Sequence, residues 1–296
     1  MLNFSRIKKL LPLIIILLVL VSGGSVLFLR SPVLIITDTS FSRLYGTLRQ
    51  GVGLLKTSLV LFRRVIPVTV AESAGPDLLT LAADGAAPSP LAVLFPSRYL
   101  EGARRYKETH PGIPVLVTVG NPNPQEKTGL AFVGTDTAQD LYRAGLCAAV
   151  FAGANKGVLF FTDRVLSNEY RATFRSGLRA QGFLGEPVYL NASTDYSNYS
   201  TVGCVVIAGP AVKFLDRNLN IPVILFSWAN PALTPRTVKI VFDDSPLALA
   251  EKALGNLSAG NEILVPSVPV VMADRIEAKK DFRKIQGLIK ENFQKK

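Results

Sequence analysis

Histidine occurs once in this chain of 296 residues, tryptophan once and cysteine twice. That scarcity removes several kinds of chemistry. The one histidine, His110, stands in Glu108-Thr109-His110-Pro111-Gly112, the pattern of a surface helix end followed by a turn. A Ser-His-Asp triad would have to use it, and no Gly-x-Ser-x-Gly elbow accompanies it. Zinc would lack ligands. No Gly-x-x-x-x-Gly-Lys-Ser/Thr loop occurs, and no Gly-x-Gly-x-x-Gly follows the first strand-like run. The expectation is a protein that is not an enzyme and that calls for no cofactor or metal.

The cysteines carry little more. Cys147 lies in the small-residue helix Ala144-Gly145-Leu146-Cys147-Ala148-Ala149, and Cys204 lies in the strand-like run 202–208. Both read as small buried hydrophobes. An oxidising compartment would permit a disulfide between them, but two cysteines make no framework.

Charge is also missing where it would matter for nucleic acid. The formal charge is +11, yet residues 1–30 hold four basic residues and no acid, and residues 279–296 hold seven basic residues against Asp281 and Glu291. The middle is left at +2. A nucleic-acid binder gathers Lys and Arg on a folded face with aromatics or a motif helix, so no nucleic-acid partner is expected. The basic ends suit a membrane carrying anionic lipid. For the tail, residues 276–296, a solvated amphipathic helix with Phe282, Ile285, Leu288, Ile289 and Phe293 on one face is the competing reading.

Between Leu10 and Leu29 there is no charge at all, a length that crosses a hydrocarbon core as a helix, with Arg6, Lys8 and Lys9 holding the N-terminal side in the cytoplasm. Residues 1–30 are therefore a signal anchor, or a signal peptide cut near Ser22-Gly23-Gly24. Gly23 and Gly24 have no cysteine beside them, which excludes a lipoprotein anchor. Either way the rest of the chain faces outward, placing it in the periplasm or its extracytoplasmic equivalent at the inner membrane.

Beyond the anchor, short apolar runs alternate with longer helical stretches. The runs cover residues 33–36, 65–70, 91–95, 115–119, 130–133, 157–161, 188–190, 202–208, 223–226 and 238–242. Most are continuous rather than alternating, as strands covered on both faces of a parallel sheet must be. Helices are predicted over 42–55, 76–83, 98–109, 138–154, 168–181, 211–218 and 246–259. Alternating strand and helix means an open, doubly wound α/β sheet. The polar, proline-rich break at residues 120–127 divides the chain into two Rossmann-like lobes with a hinge, residues 31–120 and 121–275, the chain crossing between lobes again near 230–270.

In such sheets ligands bind beyond the carboxyl ends of the strands. Those ends are polar here: Asp38, Thr39 and Phe41 after the first run, Ser97 after the third, Asp136 after the fifth, Trp228 after the ninth and Asp243 after the tenth. Each polar residue taken singly also suits a helix cap. Several converging on one cleft would make a ligand site, with aromatic rings supplying apolar contact. A hydrolase built on Asp136 and Asp243 facing each other is a third arrangement to examine.

Gly157-Val158-Leu159-Phe160-Phe161 followed by Asn168-Glu169-Tyr170-Arg171-Ala172-Thr173-Phe174-Arg175-Ser176-Gly177-Leu178, with Asp136 to Ala154 before it and 238–243 then 246–260 after it, resembles the type I periplasmic binding proteins. These include sugar receptors, LacI-type repressor cores and basic membrane protein nucleoside receptors. The resemblance covers roughly residues 31–275. It implies a small polar ligand, of sugar or nucleoside class, held between two lobes for an ABC-type permease or a sensor. It also implies that Asp38, Asn168, Arg171 and Asp243 hold that ligand. Thr37-Asp38-Thr39-Ser40-Phe41 departs from the first-strand signatures of well-known subfamilies. A membrane-tethered interaction protein that kept the fold without a ligand is the alternative.

Overall fold

The computed structural model describes residues 28–40, 47–118, 129–162, 166–191, 201–208, 220–226, 234–254 and 262–290. The expected anchor, up to residue 27, lies outside them, as do the break at 120–127 and the helix expected over 211–218. Among the described residues no helix is long and apolar enough to cross a membrane. Two compact units appear, one from residues 28–40, 47–118 and 129–132, the other from the described residues beyond 132.

The first sheet contains β1 (Val33–Thr37), β2 (Val65–Thr69), β3 (Ala92–Pro96), β4 (Val115–Thr118), β5 (Ala131–Thr135) and β11 (Glu262–Val265), in the order β11-β5-β4-β3-β1-β2. β1 is buried along its whole length because it pairs on both sides, with β2 and with β3, in parallel. β2 alternates buried and exposed residues and carries Pro67, which an edge strand tolerates and a central one does not. Around this sheet lie α1 (Thr47–Leu61), α2 (Pro76–Ala86) and α3 (Leu100–Thr109). α1 ends later than the expected 55, because Leu54 to Leu61 continue the helix up to the turn at Phe62.

The second sheet contains β6 (Gly157–Thr162), β7 (Val188–Leu190), β8 (Val202–Ala208), β9 (Val223–Phe226), β10 (Val238–Asp243) and β12 (Val268–Val271), in the order β12-β10-β9-β8-β6-β7. All its pairs are parallel except β10 with β12. Its helices are α4 (Thr137–Ala152), α5 (Asn168–Ala180), α6 (Pro246–Ala253) and α7 (Lys279–Leu288). β5 pairs in the first sheet, and the chain returns there once more at β11.

Close backbone packing joins α4 to α5. A Cβ at Gly145 would land on the Phe174 carbonyl oxygen, and one at Gly177 on the Tyr142 carbonyl oxygen. That contact is the physical reason for the small residues of α4 and for the glycine of Phe174-Arg175-Ser176-Gly177. Phe160 meets Phe174 edge to face at 4.9 Å beneath it. The C-terminal α7 buries Ile285 and Leu288 in this same core, while Arg283 and Lys284 stay exposed. Its apolar stripe therefore packs on its own domain.

Candidate ligand-binding site

The parallel strands of the first sheet end together at Thr37, Thr69 and Pro96. The Thr37 and Thr69 hydroxyls lie 3.3 Å apart there. Asp38 follows at once and is only 2 % exposed. Its carboxylate accepts the Tyr99 hydroxyl at 2.8 Å and the Ser40 hydroxyl at 2.7 Å, and forms an ion pair with Arg98 Nη2. Arg98 Nη1 donates to Ser40 Oγ at 2.9 Å, and its guanidinium lies 5.0 Å over the Tyr99 ring.

A buried carboxylate so supplied is held as an anion by charge-assisted bonds. Its effect is to orient Arg98, whose side chain keeps 41 % of its exposure. Arg98, rather than Asp38, is thus the more accessible group at this edge. The arginine was not among the expected site residues, although Ser97, its neighbour, was. Ser97 opens a single 3-10 turn, Ser97–Tyr99, that swings Arg98 and Tyr99 back over the strand ends. Thr39 is exposed and donates to Glu72 Oε1 at 2.6 Å, joining the ends of β1 and β2. Phe41 lies outside the described residues.

In the second unit the expected residues do different things. Asp136 caps α4, accepting the Gln139 N–H at 3.0 Å. Asp243, mostly buried, accepts the Ser245 N–H at 3.0 Å, and Ser245 in turn caps α6. Both acids therefore serve helix starts. Asn168 is exposed at the first position of α5, where Ser167 and not Asn168 is the cap. Arg171 stacks 4.7 Å over the Tyr189 ring, and its buried Nε has no hydrogen-bond partner among the described residues. Burial raises the Tyr189 hydroxyl's pKa, opposed by Arg175 and Arg171. Trp228, and the residues following β6, β8 and β9, lie outside the described residues. Two groups gather by direct contact: Asp38 with Arg98, Tyr99 and Ser40, and Arg171 with Tyr189.

One buried pair had no signal in local sequence. Asp140, in the first turn of α4, accepts Ser267 N–H at 3.0 Å and Ser267 Oγ–H at 2.5 Å. Ser267 stands between β11 and β12, where the chain leaves the first sheet for the second. Burial lifts the Asp140 carboxyl to about 7, against the lowering effect of Ser267 and Arg143.

His110 terminates α3 and stacks on Tyr106 at 4.3 Å, with Nε2 3.2 Å from Asp84. Tyr106 is fully buried and its hydroxyl is raised to about 12 by burial and by Asp84, so this cluster belongs to the helix end. Among the described residues no group of His, Cys, Asp and Glu could hold a metal. Both cysteines are buried thiols and form no disulfide with each other.

No family model matches the chain, and no curated protein matches it in sequence. Solved structures match in fold. A solute-binding protein of an ABC transporter system from Conexibacter woesei is 13 % identical with a TM-score of 0.58, covering 88 % of this chain and 95 % of its own. A periplasmic ribose ABC transporter protein from the same organism is 16 % identical with a TM-score of 0.51, covering 86 % and 97 %. A transcriptional activator of the comK gene from Bacillus halodurans is 11 % identical with a TM-score of 0.57, covering 88 % and 96 %. With two mostly parallel α/β sheets in these strand orders, the chain has the type I periplasmic binding protein fold.

Proposed function

We propose that this is an extracytoplasmic solute-binding protein that captures a small polar ligand, of sugar or nucleoside class, for a membrane permease or sensor. The observation that carries the reading is the Arg98 guanidinium, fixed by Asp38 and Ser40 on the face of Tyr99 at the carboxyl edge of a parallel sheet. That edge is where open α/β sheets take their ligands. A rigid fork of N–H donors beside an aromatic face suits hydroxyl-rich or heterocyclic ligands. The fold is shared with a protein described as a periplasmic ribose ABC transporter component, which supports the ligand class. The same fold in a transcriptional activator means that the site, not the fold, must decide.

Arg171 over Tyr189 repeats the arginine-on-aromatic arrangement within the second unit. The uncharged run from Leu10 to Leu29 supplies the tether and sets the outward placement in this reading. Calorimetric titration of the detergent-solubilised full chain with pentoses, hexoses, inositols and nucleosides tests the proposal. One ligand should bind, and Arg98→Ala should weaken it at least about tenfold, the loss of one charged hydrogen bond. A folded chain that binds none of them would overturn the reading. It would favour instead an interaction protein that kept the fold, for which the engagement of Asp136 and Asp243 at helix starts already speaks.

A further inference from the structure

We infer that the outer face of α1 (Thr47–Leu61) rests on the surface of an anionic phospholipid bilayer, beside the point where the apolar N-terminal segment leaves the folded unit. This inference rests on the tether reading above and adds a second contact to it. Leu55, Leu59 and Phe62 follow one another at helical spacing and are 64 %, 53 % and 59 % exposed. Val60 is exposed as well. Nothing in the described first unit covers this stripe, and soluble surfaces seldom gather large apolar residues in this way.

The end of the helix is more unusual than its composition. Phe62 N–H donates to the Leu59 carbonyl and Arg63 N–H to the Ser58 carbonyl, the paired bonds of a Schellman ending. That ending needs a left-handed residue, usually glycine. Here it is Phe62, at φ 50°, the one non-glycine residue with positive φ among those described. A bulky side chain in this region is strained. Its ring recovers little by packing, being exposed, so the fold itself gives no account of a phenylalanine there. An aromatic ring at a lipid headgroup boundary does.

The same corner is joined to the root of the tether. Arg63 Nη1 donates to the Ser31 carbonyl at 3.1 Å, the Arg64 guanidinium lies 5.2 Å over the Phe28 ring, and Val33 N–H donates to the Arg64 carbonyl at 2.9 Å. Phe28 and Leu29, the last residues of the uncharged run, are themselves exposed. The apolar stripe and the emergence point thus form one continuous surface. Charge completes the match. From Met1 to Ala71 there are nine basic residues and a single acid, Asp38, which is buried and bound to Arg98. Arg63 and Arg64 follow Phe62 directly, Arg30 follows Leu29, and none of the three forms an ion pair with a carboxylate among the described residues. An apolar strip edged by arginines is the composition that lies in an anionic interface.

The test uses the full chain reconstituted into vesicles, with Leu59→Cys carrying an environment-sensitive fluorophore. The native thiols, both buried, do not compete for label. Leu184→Cys, at a 91 % exposed position of the second unit, is the reference. In mixed phosphatidylglycerol and phosphatidylcholine vesicles, position 59 should emit blue-shifted light. It should be quenched by lipids bearing acyl-chain nitroxides and resist aqueous iodide, and high salt or pure phosphatidylcholine should reverse this. Phe62→Gly should reduce the nitroxide quenching several-fold while leaving the melting temperature unchanged or higher. Iodide reaching position 59 as freely as position 184 on the mixed vesicles overturns the inference. Protection of position 59 in lipid-free detergent also overturns it, because the occupant is then the chain's own N-terminal segment or a second copy. Retention on the vesicles through alkaline carbonate reports the tether by itself, so its loss and the loss of the docking face are told apart.

Discussion

The Tyr99 hydroxyl donates to the Asp38 carboxylate at 2.8 Å across 61 positions of sequence, tying the turn after β3 (Ala92–Pro96) to the end of β1 (Val33–Thr37). Tyr99 is 5 % exposed, so the bond forms where water cannot replace it. Tyr99→Phe keeps the ring under Arg98 and removes one donor from a buried anion. The expected cost is about 1–3 kcal/mol of stability, read as a lowered urea midpoint with unchanged slope. An unchanged midpoint would mean that Arg98 and Ser40 satisfy Asp38 alone.

Alanine substitutions at two helical glycines should change stability in opposite directions. On α5 (Asn168–Ala180), Gly177→Ala would push a methyl group into the Tyr142 backbone of α4 (Thr137–Ala152). The clash is with backbone, which cannot swing aside, so roughly 1–3 kcal/mol of destabilisation or more is expected despite the better helix propensity. On α7 (Lys279–Leu288), a Cβ at Gly287 meets nothing within 4 Å. Gly287→Ala should therefore stabilise by about 0.5–1 kcal/mol. Thermal melts of the two variants beside the parent read both signs.

Neither thiol should react with a disulfide reagent in the native protein. Cys147 and Cys204 are both fully buried, and burial raises the Cys204 thiol well above its ordinary value, with Cys147 adding to the rise. The thiolate is the reactive form. Labelling should begin only in denaturant and should follow the unfolding curve. Fast labelling of either thiol under native conditions would show that α4 opens locally, away from β8 (Val202–Ala208).

What was legible along the chain and what was not divides by distance. The central strands stood out because strands covered on both faces must be apolar without interruption, as in Val33-Leu34-Ile35-Ile36. β11 (Glu262–Val265) and β12 (Val268–Val271) escaped notice because Pro266 and Pro269 break the run that contains them. Edge position makes Pro269 tolerable, and edge position is invisible from one sequence. At the strand ends the sequence singled out Asp38 and Ser97 and passed over Arg98. The arginine's importance comes from a carboxylate 60 positions away. Taken singly, Asp136 and Asp243 read as caps more readily than as ligand groups, and they accept from the Gln139 and Ser245 N–H groups at helix starts. Asp140 with Ser267, 127 positions apart, had no local trace at all.

That last pair gives the sharpest dependence on pH. The Asp140 carboxyl is lifted from 3.8 to about 7, first by burial, with Asp136 adding and with Ser267 and Arg143 opposing. In the unfolded chain the same carboxyl loses its proton near the ordinary value. Between about pH 4 and pH 7 the folded protein therefore binds a proton that the unfolded one has released, and stability falls as pH rises through that window. The contribution is fully present below about pH 4 and gone above about pH 7, and the shift corresponds to roughly 4 kcal/mol. Asp140→Asn cannot titrate, and its amide oxygen can still accept the Ser267 N–H. Urea unfolding of parent and variant at about pH 4 and about pH 7 should show the variant losing less stability across the window than the parent. Parallel losses would mean that Asp140 is ionised in the folded protein at both values, with Arg143 and the Ser267 donors outweighing its burial.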